Sequence, residues 1–194
     1  MSEDRKETET ENEGKKRSAG RELLSWILYI LLVIALTWFV ITFIGQRTRV
    51  EGHSMETTLS DGDNLIVDKL TYHFTDPKRY DVIVFPYQHA ENTYYIKRII
   101  GLPGETVQVK TDGYVYINGE RLDEHFGAEL MEDPGIAAEE IQLGENEYFV
   151  LGDNRNHSSD SRDPSVGILT RDQIIGRAWL RIYPFNKIGF VPHE

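Results

Sequence analysis

The 194-residue chain carries 21 Lys/Arg against 32 Asp/Glu, a formal charge of −11, and no cysteine. That length allows one ordinary domain plus a short extra segment. The acidic balance argues against a broad phosphate-binding surface and hence against a nucleic-acid partner, and the missing thiols exclude disulfides and thiolate metal sites.

Residues 1–22 hold 6 of the cations and 7 of the acids, with almost no apolar side chain. Such a composition cannot bury enough surface to offset the entropy of ordering, so a disordered tail is expected there. Residues 23–44, LLSWILYILLVIALTWFVITFI, contain no charge, Gly or Pro. At about 1.5 Å per residue this stretch covers roughly 33 Å, enough to cross a hydrocarbon core. It is longer than the apolar part of a secretory signal, and no small-x-small site follows it, so it reads as a permanent anchor. Lys15, Lys16, Arg17 and Arg21 lie just before the span, whereas Arg47 and Arg49 lie close after it. The positive-inside bias therefore puts the N-terminus in the cytoplasm and residues 45–194 outside the cell membrane, single-pass.

Beyond the anchor, short β-type runs alternate with turn residues. Strands are predicted at 64–69, 81–87, 93–100 and 105–110. A hairpin is expected at 114–117 and 121–122 around Asn118-Gly119, and further strands at 147–151, 176–183 and 187–191. Residues 123–146 are acidic and irregular, with a short helix expected near 136–141, and about 110–146 reads as a small inserted cap. The fold class is mainly β, an antiparallel domain behind one N-terminal transmembrane helix.

Three strings could carry chemistry. Period-2 alternation puts Tyr95, Lys97 and Ile99 on one strand face, with Ile96, Arg98 and Ile100 on the other. Apolar neighbours penalise the charged form of Lys97, and a shift of roughly three pH units, about 4 kcal/mol, would make its amine a base near neutrality. Ser54, in Gly52-His53-Ser54-Met55, is a poor nucleophile until a base takes its proton. The polar string at 152–162, GDNRNHSSDSR, could fold over such a site. A Ser/His/Asp triad through His157 and Asp160 is the less favoured arrangement, because residues three apart do not readily line up as orienter and base. The six histidines show no metal-ligand spacing, and no cofactor is called for.

Together the anchor, Val50-Glu51-Gly52-His53-Ser54-Met55, Gly62-Asp63, Tyr95-Ile96-Lys97-Arg98-Ile99-Ile100-Gly101-Leu102-Pro103-Gly104-Glu105 and the 152–162 string resemble the bacterial type I signal peptidases, in their Gram-positive form. That resemblance implies a membrane-bound serine endopeptidase that removes signal peptides from secreted preproteins by a Ser–Lys dyad. By the same resemblance Ser54 is the nucleophile, Lys97 the general base and Ser158 the hydroxyl that orients the lysine. Arg98, Asp153, Asp160 and Arg162 shape the site, while Met55, Leu59, Tyr95 and Ile96 line the pocket for a small residue before the cut. Its partners would be preproteins and the bilayer, with the oligomeric state left open. Two positions depart from common patterns. Thr57 stands where the family usually has Pro, and Gly52 stands where Gram-negative members have an oxyanion-hole serine, leaving backbone N–H groups, including that of Ser54, to bind the oxyanion. The alternative is a tethered homologue that binds without cutting; the presence of both Ser54 and Lys97 argues for activity.

Overall fold

The computed structural model describes residues 3–39, 45–127 and 129–193. It divides into two units, residues 1–43 and 44–194.

The first unit is one helix, α1 (Glu3–Phe39). Within it Gly20–Trp38 has a mean hydropathy of 1.7 and is a helix long and apolar enough to cross a membrane. Positions 40–44 of the expected span lie outside the described residues. The tail read as disordered from composition is helical from Glu3. Glu, Lys and Arg are strong helix formers, so a helix nucleated in the apolar span can propagate backwards through residues 3–19.

The second unit is the expected antiparallel β domain, built around two sheets. The larger has eight strands: β1 (Gly45–Arg49), β2 (Asn64–Asp68), β3 (Val82–Pro86), β4 (Tyr94–Gly101), β9 (Glu147–Leu151), β10 (Leu169–Thr170), β11 (Gly176–Tyr183) and β12 (Gly189–Phe190). Their order is β1-β2-β11-β3-β4-β9-β10, with β12 on β11. The smaller sheet holds β5 (Thr106–Val109), β6 (Val115–Ile117), β7 (Glu120–Arg121) and β8 (Ile141–Gln142) in the order β7-β6-β5-β8. In the β6–β7 hairpin Asn118 and Gly119 sit at φ 52° and 81°. A two-residue type I′ turn demands two positive φ values, and Asn-Gly supplies them at least steric cost. The helix expected near 136–141 is a single 3-10 turn at Gly135–Ala138.

β3 and β4 form the centre of the large sheet. Val82 and Val84 join one apolar cluster, Ile83 and Phe85 another, so β3 is buried on both faces. β4 alternates in step: Ile96 belongs to the first cluster, Ile99 to the second. The first cluster also contains Met55, Leu59 and Val191, which draws the turn after Ser54 and the C-terminal segment onto the face of β3 and β4.

Candidate active site

Lys97 is the fourth residue of β4, among the six buried residues that end the strand, and it is itself only 3 % exposed. Opposite it in the ladder is Ile83. Its Nζ lies 2.8 Å from Ser54 Oγ and donates to the Ile96 carbonyl at 3.1 Å. The Tyr95 ring, stacked on Tyr87 at 4.5 Å, lies 4.9 Å from the amine. Burial lowers the Lys97 pKa from 10.5 to about 8, against the opposing pull of Asp160 and Asp153. Both carboxylates are matched by arginines, so desolvation wins.

Ser54 opens a tight turn. The N–H of Leu59 donates to Met55 O at 2.8 Å and that of Glu56 to His53 O at 3.2 Å. Met55 and Leu59 are buried under it, while Thr57 is exposed at its outer edge. The turn is thus held by its own backbone bonds and by two apolar anchors, without the proline common at position 57.

The arginine beside the lysine fixes the rest. Arg98 is 0 % exposed, and all five of its N–H groups are used. Two go to Asp153 as a bidentate pair at 2.9 and 2.8 Å, one to Thr58 Oγ1 at 3.1 Å, and one each to the carbonyls of Tyr80 at 2.8 Å and Pro192 at 2.9 Å. Thr58 closes the circle by donating to Asp153 Oδ2 at 2.5 Å. One guanidinium therefore ties β4 to the nucleophile's turn, to the loop after β9 and to the chain end. Asp160 is held in turn by Arg162 Nε and Nη2, both at 2.9 Å, and by the N–H of Gly152 at 3.1 Å. Asn154 N donates to Ser54 O at 3.0 Å, and its side-chain amide to His53 O at 3.1 Å, seating the loop directly on the turn.

The remaining expected residues differ in what they contact. Ser158 lies against Gly152 close to the Ser54 carbonyl, but its buried Oγ has no hydrogen-bond partner among the described residues. The Ile96 carbonyl, which no side-chain pattern could flag, orients the amine instead. The triad geometry is absent: the Asp160 oxygens are taken by Arg162 and Gly152, and His157 is exposed at the cleft rim. A cleft of about 640 Å³ runs past Ser54 and Lys97, with Met55, Tyr95 and Ile96 among its lining. Leu59 backs the cleft from the core rather than lining it.

Comparison with known proteins now decides the family. The model of the signal peptidase, peptidase S26, family matches residues 23–183. This chain belongs to that family. A signal peptidase I of Bacillus amyloliquefaciens is 35% identical over 91% of this chain and 97% of its own length. One from Leptolyngbya laminosa is 40% identical over 88% and 85%. A solved signal peptidase I from Enterococcus faecalis is 35% identical, covering 53% of this chain and 97% of its own, with a TM-score of 0.45. Membership makes this chain a serine endopeptidase.

Proposed function

We propose that this protein is a membrane-anchored endopeptidase that cuts signal peptides from secreted preproteins through a Ser54–Lys97 dyad. The observation that carries this reading is the 2.8 Å contact between Ser54 Oγ and an amine whose pKa burial has lowered to about 8. At pH 7 about one amine in ten is then neutral and able to accept a proton, against fewer than about one in a thousand for an ordinary lysine.

Ser54 Oγ attacks the scissile carbonyl while its proton passes to Lys97 Nζ. The N–H of Gly52 is already given to Asp61, so the backbone N–H of Ser54 itself is the donor assigned to the oxyanion. Lys97 returns the proton to the leaving amine, leaving an ester on Ser54, and then takes a proton from the water that hydrolyses it. Site-shaping by Arg98, Asp153, Asp160 and Arg162 keeps both groups in register through these steps.

Substrate would enter as an extended strand. β9 pairs with β4 only from Arg98 to Gly101, so the earlier half of β4 keeps an open edge along the cleft. A peptide added there would meet Met55, Tyr95 and Ile96, which suit a small apolar residue before the cut. Sequence reach limits where this happens: the ten residue steps from position 44 to Ser54 span at most about 33–36 Å, close to where a bilayer-held signal segment emerges.

Precursor cleavage in detergent by the full chain tests the reading. Wild type is expected to cut at one site, and Ser54→Ala and Lys97→Ala to lose at least about a thousandfold. Full activity in Lys97→Ala would overturn the dyad; no cleavage by wild type would favour the binding-only alternative.

A further inference from the structure

The C-terminal residues 191–193 make three separate contacts with the machinery around the base. Val191 is buried in the cluster that contains Met55, Leu59 and Ile96, and its N–H donates to Trp179 O at 3.0 Å. The carbonyl of Pro192 accepts from Arg98 Nη1 at 2.9 Å. His193 Nδ1 accepts the backbone N–H of Val82 at 3.1 Å. Val82 is the ladder partner of Arg98, and the next pair along is Ile83 with Lys97. The chain end therefore grips both strands of the pair that presents the base.

We infer that His193 is a positioning residue for Lys97, and that residues 191–193 form a latch that is closed while its ring is neutral. This deepens the Ser54–Lys97 reading and rests on it. A ring nitrogen that accepts a hydrogen bond bears no proton, so the geometry requires the neutral form with its proton on Nε2. That Nε2–H is buried with no hydrogen-bond partner among the described residues, and the Ala178 backbone favours the protonated ring without outweighing burial. Protonation would turn Nδ1 into a donor facing the Val82 donor, and that bond would be lost.

The surroundings set the direction. Asp81 Oδ1, on the segment before β3, lies 3.7 Å from Nδ1 and favours the cation. Asp81 is itself shared with Tyr72 Oη at 2.8 Å, Lys78 N at 2.9 Å and Arg177 Nη1 at 3.8 Å. Arg177 on β11 and Arg98 on β4 both oppose a new positive charge. Burial is the largest effect, and the His193 pKa falls below its ordinary 6.5. The folded ring thus stays neutral where a free histidine would charge. The latch opens only as pH drops below that range.

The test uses the full chain in detergent, with kcat and KM for precursor cleavage measured from pH 5.5 to 9. His193→Ala is expected to lower kcat roughly tenfold with KM little changed, because the base is displaced while the cleft remains. His193→Asn, whose Oδ1 can take the place of Nδ1 and cannot be protonated, should restore kcat. On the acid side wild type should lose about one decade per pH unit from Lys97, steepening toward two, whereas His193→Asn keeps a slope of about one. Unchanged kcat in His193→Ala, or His193→Asn as slow as His193→Ala, would overturn the inference. Should His193→Ala fail to fold, the acid limbs of wild type and His193→Asn decide: equal slopes overturn it. Cleavage surviving in Ser54→Ala would instead overturn the dyad, whatever His193 does.

Discussion

At the scale of single residues, the amine of Lys97 is a liability to the fold that the site retains. Its pKa is about 8 in the folded chain and 10.5 in the unfolded one. Between those values the unfolded chain holds a proton that the folded chain lacks, so stability falls as pH drops from 10.5 to 8 and stays low beneath. The loss amounts to about 3 kcal/mol at pH 7. Lys97→Met, similar in volume and uncharged, is therefore expected to raise the melting temperature at pH 7 by roughly 6–10 °C. The gain should vanish near pH 11, and cleavage should vanish at every pH. A melting point unchanged at pH 7 would mean the amine is better solvated than its burial implies. The catalytic profile moves in the same direction: cleavage rises as pH passes upward through about 8, read from kcat/KM of wild type.

The sequence was informative about this residue because period-2 alternation is local: Tyr95, Lys97 and Ile99 could be placed on one face by counting. The partner of the amine was not local. Ser54 and Lys97 are 43 positions apart, and the Arg98–Thr58–Asp153 clamp, Asn154 and the apolar anchors Met55 and Leu59 bring them to 2.8 Å. The Ile96 carbonyl was illegible for a related reason, since a backbone carbonyl is present at every residue and carries no signature in the string.

Among the elements, the loop after β9 and the turn after Ser54 behave as one body. Gly152 sits where they touch: a Cβ there would lie 2.2 Å from Ser158 Oγ and 2.5 Å from the Ser54 carbonyl oxygen. Serine could rotate away, but the carbonyl belongs to the nucleophile's own backbone. Gly152→Ala should therefore push Ser54 off the line to Lys97 and lower kcat by about a hundredfold or more, as ångström-scale misplacement does. Gly119→Ala is the counterpart. Its φ of 81° strains any Cβ, yet nothing lies within 4 Å of the added atom. It should cost roughly 1–2 kcal/mol of stability and leave cleavage intact. Equal kinetic losses in the two variants would show that the domain fails as a whole and that Gly152 has no special contact. Strand content was legible to a similar degree. Glu147–Leu151 and Gly176–Tyr183 have the bounds that β-branched and aromatic runs imply. β1, GQRTR, has no apolar alternation to read, and it becomes a strand because Arg47 ties to Asn64 at the sheet edge. β8 and β10, two residues each, are too short for any period.

For the whole molecule, the question is which side of a bilayer the β unit occupies. The apolar helix stretch is followed within the described chain by a polar, acidic domain with 15 cations against 25 acids after residue 22. Acidic side chains weigh little in orientation, so the domain's charge neither helps nor hinders export; Lys15, Lys16, Arg17 and Arg21 dominate because they lie within reach of the span. On the proposed function, the substrate sets the same requirement. A signal segment held in the membrane offers its cleavable bond on the exported side, and a peptidase tethered there meets it in two dimensions at raised effective concentration. In right-side-out vesicles, added protease should therefore destroy a C-terminal epitope and spare an N-terminal one, with the pattern reversed in inverted vesicles. Changing Lys15, Lys16, Arg17 and Arg21 to Gln leaves Arg47 and Arg49 as the nearest cations and should move a measurable fraction of chains to the opposite pattern. Those chains should hold an intact Ser54–Lys97 pair, cut precursor once detergent is added, and yet leave precursor uncut in sealed vesicles. Protection of the C-terminal epitope in right-side-out vesicles of the unaltered chain would place the β unit on the cytoplasmic face and remove it from any exported substrate.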